Sequence, residues 1–182
     1  MESIDGLTTE NTTWATFSSD KKYRYTLGRR WGTEHKRVAF ILLNPSTADA
    51  LRTDPTVRRC IGYARQWGFD SIEMGNIFAL RSTDPKLLYA DIDPIGPDND
   101  EAIKEIVGKA SLTIVAWGSH GILNNRGRQV LDMIPEPYCL SLNKDGQPGH
   151  PLYLPSTIRP TPYNRMVALR CNTVYKRGLQ SH

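Results

Sequence analysis

Four short apolar runs, each closed by polar residues at the start of a loop, constrain the fold of this chain more than any other feature. Residues 38–43 lead into Asn44, residues 71–75 into Asn76, residues 112–116 into Trp117, Gly118, Ser119 and His120, and residues 138–142 into a loop that reaches His150. The runs read as strands, and helix signals stand between them. That alternation argues for a mostly parallel sheet flanked by helices, not for an all-β or all-α domain. In an open sheet of this kind ligands bind outside the carboxyl ends of the strands, so the four polar tails are expected to converge on one crevice.

The first helix signal is the clearest. Asp54 is placed to cap it, Pro55 suits its first turn, Val57, Cys60, Ile61 and Ala64 form an apolar stripe, and Gly68 stops it. Arg58, Arg59 and Arg65 then fall on the outer face. A second helix is expected to begin near Asp98, with acids at its positive end and Ile103, Ile106 and Val107 toward the core. A third, from Arg126 to Ile134, sets Val130, Leu131 and Ile134 on one side and ends at Pro135 and Pro137. Between Trp14 and Trp31 the chain reads as an antiparallel edge hairpin or strand, and after His150, through Pro155, Pro160 and Pro162, as loop followed by a short helix from about Tyr163 to Leu169.

The 182 residues fit a single domain, 1–182, with a core of about 23–170, a flexible N-terminus and a basic C-terminal tail. No apolar run is long enough to span a bilayer, and the first residues lack the basic stretch and apolar core of a secretory signal, so no membrane partner and a cytoplasmic location are expected. Cys60, Cys139 and Cys171 are odd in number and far apart, which supports neither disulfides nor a zinc site and points to buried, inert thiols. The formal charge of +4 suits an anionic partner, and its distribution says more than its total. Lys21, Lys22, Arg24, Arg29, Arg30, Lys36 and Arg37 crowd one segment, which is either a solvated surface or a phosphate-facing strip.

Asn44, Pro45, Ser46, Thr47 and Asp49 leave a buried strand and should face the crevice. An asparagine there can hold a water molecule through its carbonyl, and Pro45 stiffens the turn; alternatively these residues only build the turn. Gly and Pro residues around His150 fix the backbone about one imidazole, which suits a group that donates a hydrogen bond. Asn76 precedes the apolar pair Ile77 and Phe78, so it should be partly buried; without a partner in the protein such an amide points to a ligand, whereas with one it ties strands together. His120 either lines the pocket or begins the third helix. No GxxxxGK[ST], GxGxxG or GxSxG motif follows a strand, and the aspartates read as caps and turns, so neither a metal nor another cofactor is expected.

The strand tails, in this order, resemble the uracil-DNA glycosylase superfamily. The residues concerned are Ile41 to Pro45, Met74 to Asn76, Val115 to Ser119, and His150 with Pro151. The chain also looks like a family of short bacterial and phage proteins known only as a domain of unknown function. That likeness spans roughly residues 23–155, through Leu43 to Asp49, Asp54 to Thr56, Asn76 to Phe78, Arg81 to Pro85, Gly96 to Asp100, Ala116 to Gly118 and His150 to Tyr153.

The glycosylase resemblance implies a three-layer α/β/α fold around a mostly parallel four-stranded sheet. It also implies hydrolysis of an N-glycosidic bond on a flipped nucleotide, with DNA or a nucleotide as partner. Under it Asn44 orients the attacking water, His150 stabilises charge on the departing base, Asn76 reads the base edge, and Phe78 or Trp117 stacks on it. Arg58, Arg59 and Lys144 would contact phosphates. Two departures stand out: the water-holding position is Asn rather than Asp, and Leu152, Tyr153 and Leu154 replace the usual Ser-Pro continuation after His150 and Pro151. The expected function is therefore a nucleobase-recognising protein, extending to a DNA glycosylase acting on a modified base. Its alternatives are a non-catalytic nucleotide or modified-DNA binding module, and an enzyme of small nucleotides using Asp49, Arg81, Asn99 and Asp100.

Overall fold

The structure, a computed structural model, describes residues 12–46 and 54–164. It is an α/β fold built on one mixed seven-stranded sheet of order β1-β2-β4-β3-β5-β6-β7. The strands are β1 (Thr12–Phe17), β2 (Arg24–Arg30), β3 (Arg37–Leu42), β4 (Ser71–Asn76), β5 (Leu112–Val115), β6 (Pro137–Cys139) and β7 (Thr161–Pro162). β4, β3, β5 and β6 pair in parallel, while β1 and β2 extend one edge and β7 the other by antiparallel pairing. The sheet is thus wider and more mixed than the four-stranded one expected. The expected edge hairpin between Trp14 and Trp31 joins this same sheet through the pairing of Leu27 with Met74.

Within the stretch read from sequence as loop, Pro151–Tyr153 form a 3-10 turn and Thr161–Pro162 an edge strand. Pro162 has no N–H to give, and an edge strand of two residues tolerates that. The last core strand is also shorter than the apolar run 138–142 implied, ending at Cys139. Of the helix expected from Tyr163, Tyr163 and Asn164 are not helical and the remainder lies outside the described residues, as does Cys171.

The helices are α1 (Pro55–Gln66), the single turn α2 (Leu87–Ala90), α3 (Asn99–Lys109) and α4 (Arg126–Leu131). α1 starts where sequence placed it, since the Asp54 carboxylate accepts from the Val57 N–H at 2.8 Å. β3 shows how the layers form. Val38, Phe40 and Leu42 turn to one face and pack with Val57, Cys60 and Ala64 of α1, while Ala39, Ile41 and Leu43 turn to the other and meet Ile103, Ile106, Val130 and Leu131 from α3 and α4. Each such aliphatic side chain, fully buried, contributes roughly 1.5–3 kcal/mol. With both faces of the central strand covered, its polar atoms are left to the strand ends. Among the described residues no helix is long and apolar enough to cross a membrane.

Candidate functional site

At the carboxyl ends of β3, β4 and β5 lies a cavity of about 330 Å³. Within the parallel set β4-β3-β5-β6, the chain leaves β3 toward β4 on one side and reaches β5 on the other, so the cavity sits where the winding reverses. Its wall takes Asn44 and Ser46 from the tail of β3, Met74 and Asn76 from β4, and Trp117, Gly118, Ser119 and His120 from the tail of β5. His150, Pro85, and Asp54, Thr56 and Val57 at the start of α1 complete most of the remainder.

Asn44 has its amide nitrogen committed. Nδ2 donates to the carbonyl oxygens of Ser82 at 2.9 Å and Pro45 at 3.2 Å, with Leu80 at 3.5 Å. Ser82 in turn donates its own N–H to the Pro45 carbonyl at 2.9 Å, and its hydroxyl bonds the Asp84 carbonyl. The segment from Arg81 to Pro85 is therefore a brace that fixes which way the Asn44 amide faces. With Nδ2 pinned to the brace, Oδ1 is the acceptor left for a ligand or a water.

Asn76 is only 4% exposed, and its side-chain amide makes no hydrogen bond with any described residue. Its main chain is held firmly. Asn99 Nδ2 donates to the Asn76 carbonyl at 2.9 Å and the Ile77 carbonyl at 3.2 Å, and Arg126 Nε donates to Ile77 O at 2.8 Å. Arg126 is buried and its Nη2 pairs with Asp100. The segment from Gly96 to Asp100 is accordingly a clamp on the main chain at the tail of β4, and the Asn76 side-chain amide is unpaired among the described residues.

His150 is half-buried, and its Nδ1 accepts the Leu152 N–H at 3.3 Å. A ring accepting at Nδ1 carries its proton on Nε2 when neutral. Burial pulls its pKa below the usual histidine value, with Asp54 acting in the opposite sense, so the neutral form prevails at pH 7. His120 is exposed at the rim and shares a 3.0 Å hydrogen bond with the Tyr89 hydroxyl. Trp117 lies almost wholly buried beneath the cavity, its Nε1 donating to Gln147 Oε1 at 2.9 Å. Gly118 has φ 74° and ψ −172°, a backbone region that glycine alone adopts readily, and its N–H donates to Pro148 O at 2.8 Å.

Several residues singled out in the sequence lie elsewhere. Phe78 is fully buried in the core beside Ile77 and does not line the cavity, because the chain turns at the end of β4 and carries both side chains to the α3 and α4 face. Pro45 is buried behind the loop, with its carbonyl taken by the brace. Arg81 is not a lining residue; it donates to the Lys21 carbonyl and stacks on Phe17. Asn99 and Asp100 serve the clamp, so with Arg81 they do not form one polar set. Thr47 and Asp49 lie outside the described residues.

Arg58 and Lys144 are exposed, whereas Arg59 turns inward to the Leu154 carbonyl and the Tyr63 ring. The basic strip is partly spent within the protein, with Arg37 paired to Glu73 and Lys22 to Asp91. Cys60 and Cys139 are buried free thiols, and burial pushes both upward in pKa.

Sequence reasoning missed Arg24 as a lining residue. It was counted in the basic strip, yet it is 6% exposed and faces the cavity. The cause is topological: β2 runs antiparallel to β4, so its first residue arrives at the end of the sheet where the parallel strands finish.

An α/β protein with a mixed sheet and a polar cavity at the ends of its central strands is thus the class that fold and site define. Residues 24–152 match the family described as protein of unknown function (DUF1643), and the chain belongs to that family. No curated protein and no solved structure matches the chain.

Proposed function

We propose that this protein recognises a nucleobase in the cavity and hydrolyses the N-glycosidic bond of a modified base, on a fold akin to that of the uracil-DNA glycosylases. The observation that carries the reading is Asn76: a rigidly held, nearly buried amide whose donor and acceptor have no partner in the described protein. The amide lines the cavity, so a ligand that presents the complementary edge can meet both its donor and its acceptor there. A nucleobase edge carries donor and acceptor side by side, which matches an amide.

The surroundings favour the same reading. Asn44 offers Oδ1 to orient a water, and His150 offers a neutral Nε2–H. In the proposed reaction the water oxygen bonds to the sugar C1′ as the C1′–N bond breaks. The bonding pair leaves with the base, a hydrogen bond from His150 stabilises the charge growing there, and the water's proton ends on the departed base. The four parallel strands β4-β3-β5-β6 suit a glycosylase-like fold.

One observation favours a second reading, a binding module without chemistry. Asn44 orients water but, being an amide, takes no proton from it, and its nitrogen is already bound into the brace.

Abasic-site release from DNA carrying normal, deaminated and hypermodified bases separates the two. We expect one modified base to be released by the wild type, with release lost in Asn44→Ala, His150→Ala and Asn76→Ala. Base-dependent binding without release in any of them points to the module, and absence of both release and base-dependent binding overturns the nucleobase reading itself.

A further inference from the structure

Arg24 holds a positive charge in the cavity without a counter-charge in contact among the described residues. It is 6% exposed, its Nε is buried with no hydrogen-bond partner, and no carboxylate among the described residues lies within ion-pair distance of it. Two other guanidinium groups show the contrast in charge pairing: Arg126 is paired to Asp100 and to a carbonyl, and Arg37 to Glu73. Asp54 is the described carboxylate that shares the cavity wall, but its oxygens already take the Val57 N–H and the Ser46 hydroxyl. Its attraction on Arg24 is opposed by repulsion from Arg81 and Arg29, and burial is the larger effect, pulling Arg24 down to about 10. At neutral pH the group is still charged. A buried cation left unmatched is strongly unfavourable, so a site that keeps one is built for a ligand that brings the negative charge.

We propose that Arg24 seats a phosphate group of the ligand that occupies this cavity. The planar fork of a guanidinium meets phosphate oxygens two at a time. Choosing phosphate over carboxylate rests on the nucleobase reading, because the anion that a nucleobase brings with it is the phosphate on its sugar. Cavities of this size also take more than a lone base. The same phosphate chemistry is offered by a strand of nucleic acid and by a free nucleotide.

The test measures binding of inorganic phosphate, deoxynucleosides, deoxynucleoside 5′-monophosphates and a short single-stranded oligonucleotide to the wild type, Arg24→Met, Arg24→Lys and Asn76→Ala. Inorganic phosphate and the monophosphates are expected to bind the wild type, to lose roughly 10- to 100-fold in affinity in Arg24→Met, consistent with charge-assisted hydrogen bonds, and less in Arg24→Lys. Asn76→Ala keeps the phosphate response and loses discrimination among bases. Tighter binding of the oligonucleotide than of the monophosphates assigns the phosphate to a strand, and the reverse order to a free nucleotide; both support the seat.

Equal phosphate binding by the wild type and Arg24→Met overturns the proposal, as does no binding by the wild type. If phosphate binds through Arg24 while bases are not discriminated, the seat stands and the nucleobase reading fails. Without ligand, Arg24→Met is expected to melt no lower than the wild type, since it removes an unmatched charge. A much lower melting temperature, reproduced by Asp49→Asn, means that the partner is in the chain and also overturns the seat.

Discussion

Asn99 donates from Nδ2 to the main-chain carbonyl of Asn76 at 2.9 Å, from a fully buried position at the first residue of α3. The same nitrogen reaches the Ile77 carbonyl, so one side chain serves two acceptors where the strand hydrogen bonds run out. Replacing Asn99 with Ala strips both at once. A buried carbonyl without a donor costs about 1–3 kcal/mol, so Asn99→Ala is expected to lower stability by roughly 2–3 kcal/mol in urea titration. A loss below about 1 kcal/mol would mean that water or Arg126 takes over both carbonyls.

Phe78→Ala is a sharper test of core against cavity. Phe78 is fully buried with Ile77, Ile103 and Leu131. Its truncation should cost about 3–5 kcal/mol, with ligand affinity per folded molecule unchanged. Loss of base discrimination with little loss of stability would return Phe78 to the stacking role that the glycosylase resemblance implied.

The strand tails were legible because an apolar run has to end, and polar groups at its end have no ladder to join. This held for Asn44, Asn76, Trp117 and His150, which line one cavity. What sequence could not show was which tail residues turn away. Asn76 faces the cavity while Ile77 and Phe78 enter the opposite core, a change of direction set by the Asn99 and Arg126 clamp and invisible to periodicity. Arg24 was hidden for another reason: a basic residue among basic residues reads as surface until an antiparallel pairing places it under the sheet's far end. Arg81 was set with Asn99 and Asp100 in the polar set of a small-nucleotide enzyme, but the segment from Arg81 to Pro85 is spent on the distant Asn44 amide, a contact that local sequence does not reveal.

His150 gives stability a pH dependence of defined sign. Burial lowers its pKa in the folded protein below the 6.5 of a free histidine, with Asp54 opposing. Between those two values the unfolded chain binds more protons than the folded one, so stability rises with pH through that window. The full contribution is present above about pH 6.5 and is lost as pH falls toward the folded value. In urea midpoints followed from pH 8 down to about pH 5, the wild type should lose stability relative to His150→Gln. Parallel curves for the two proteins would show that the imidazole gains or loses its proton equally in both states.

Gly118 holds a backbone conformation that a single methyl group would strain. At φ 74° and ψ −172° the chain is in a region that residues with a Cβ avoid, yet a Cβ built there meets no atom within 4 Å. Gly118→Ala therefore isolates the backbone effect from any clash. Holding the native conformation costs about 1–3 kcal/mol. Relaxing it breaks the bond from the Gly118 N–H to Pro148 O and swings Ser119 and His120 away from the cavity wall. Either route lowers stability in denaturant titration, but only the second also weakens ligand binding per folded molecule. Measuring both quantities on Gly118→Ala thus tells whether this turn is a rigid part of the cavity or a passive link between β5 and the helix that follows.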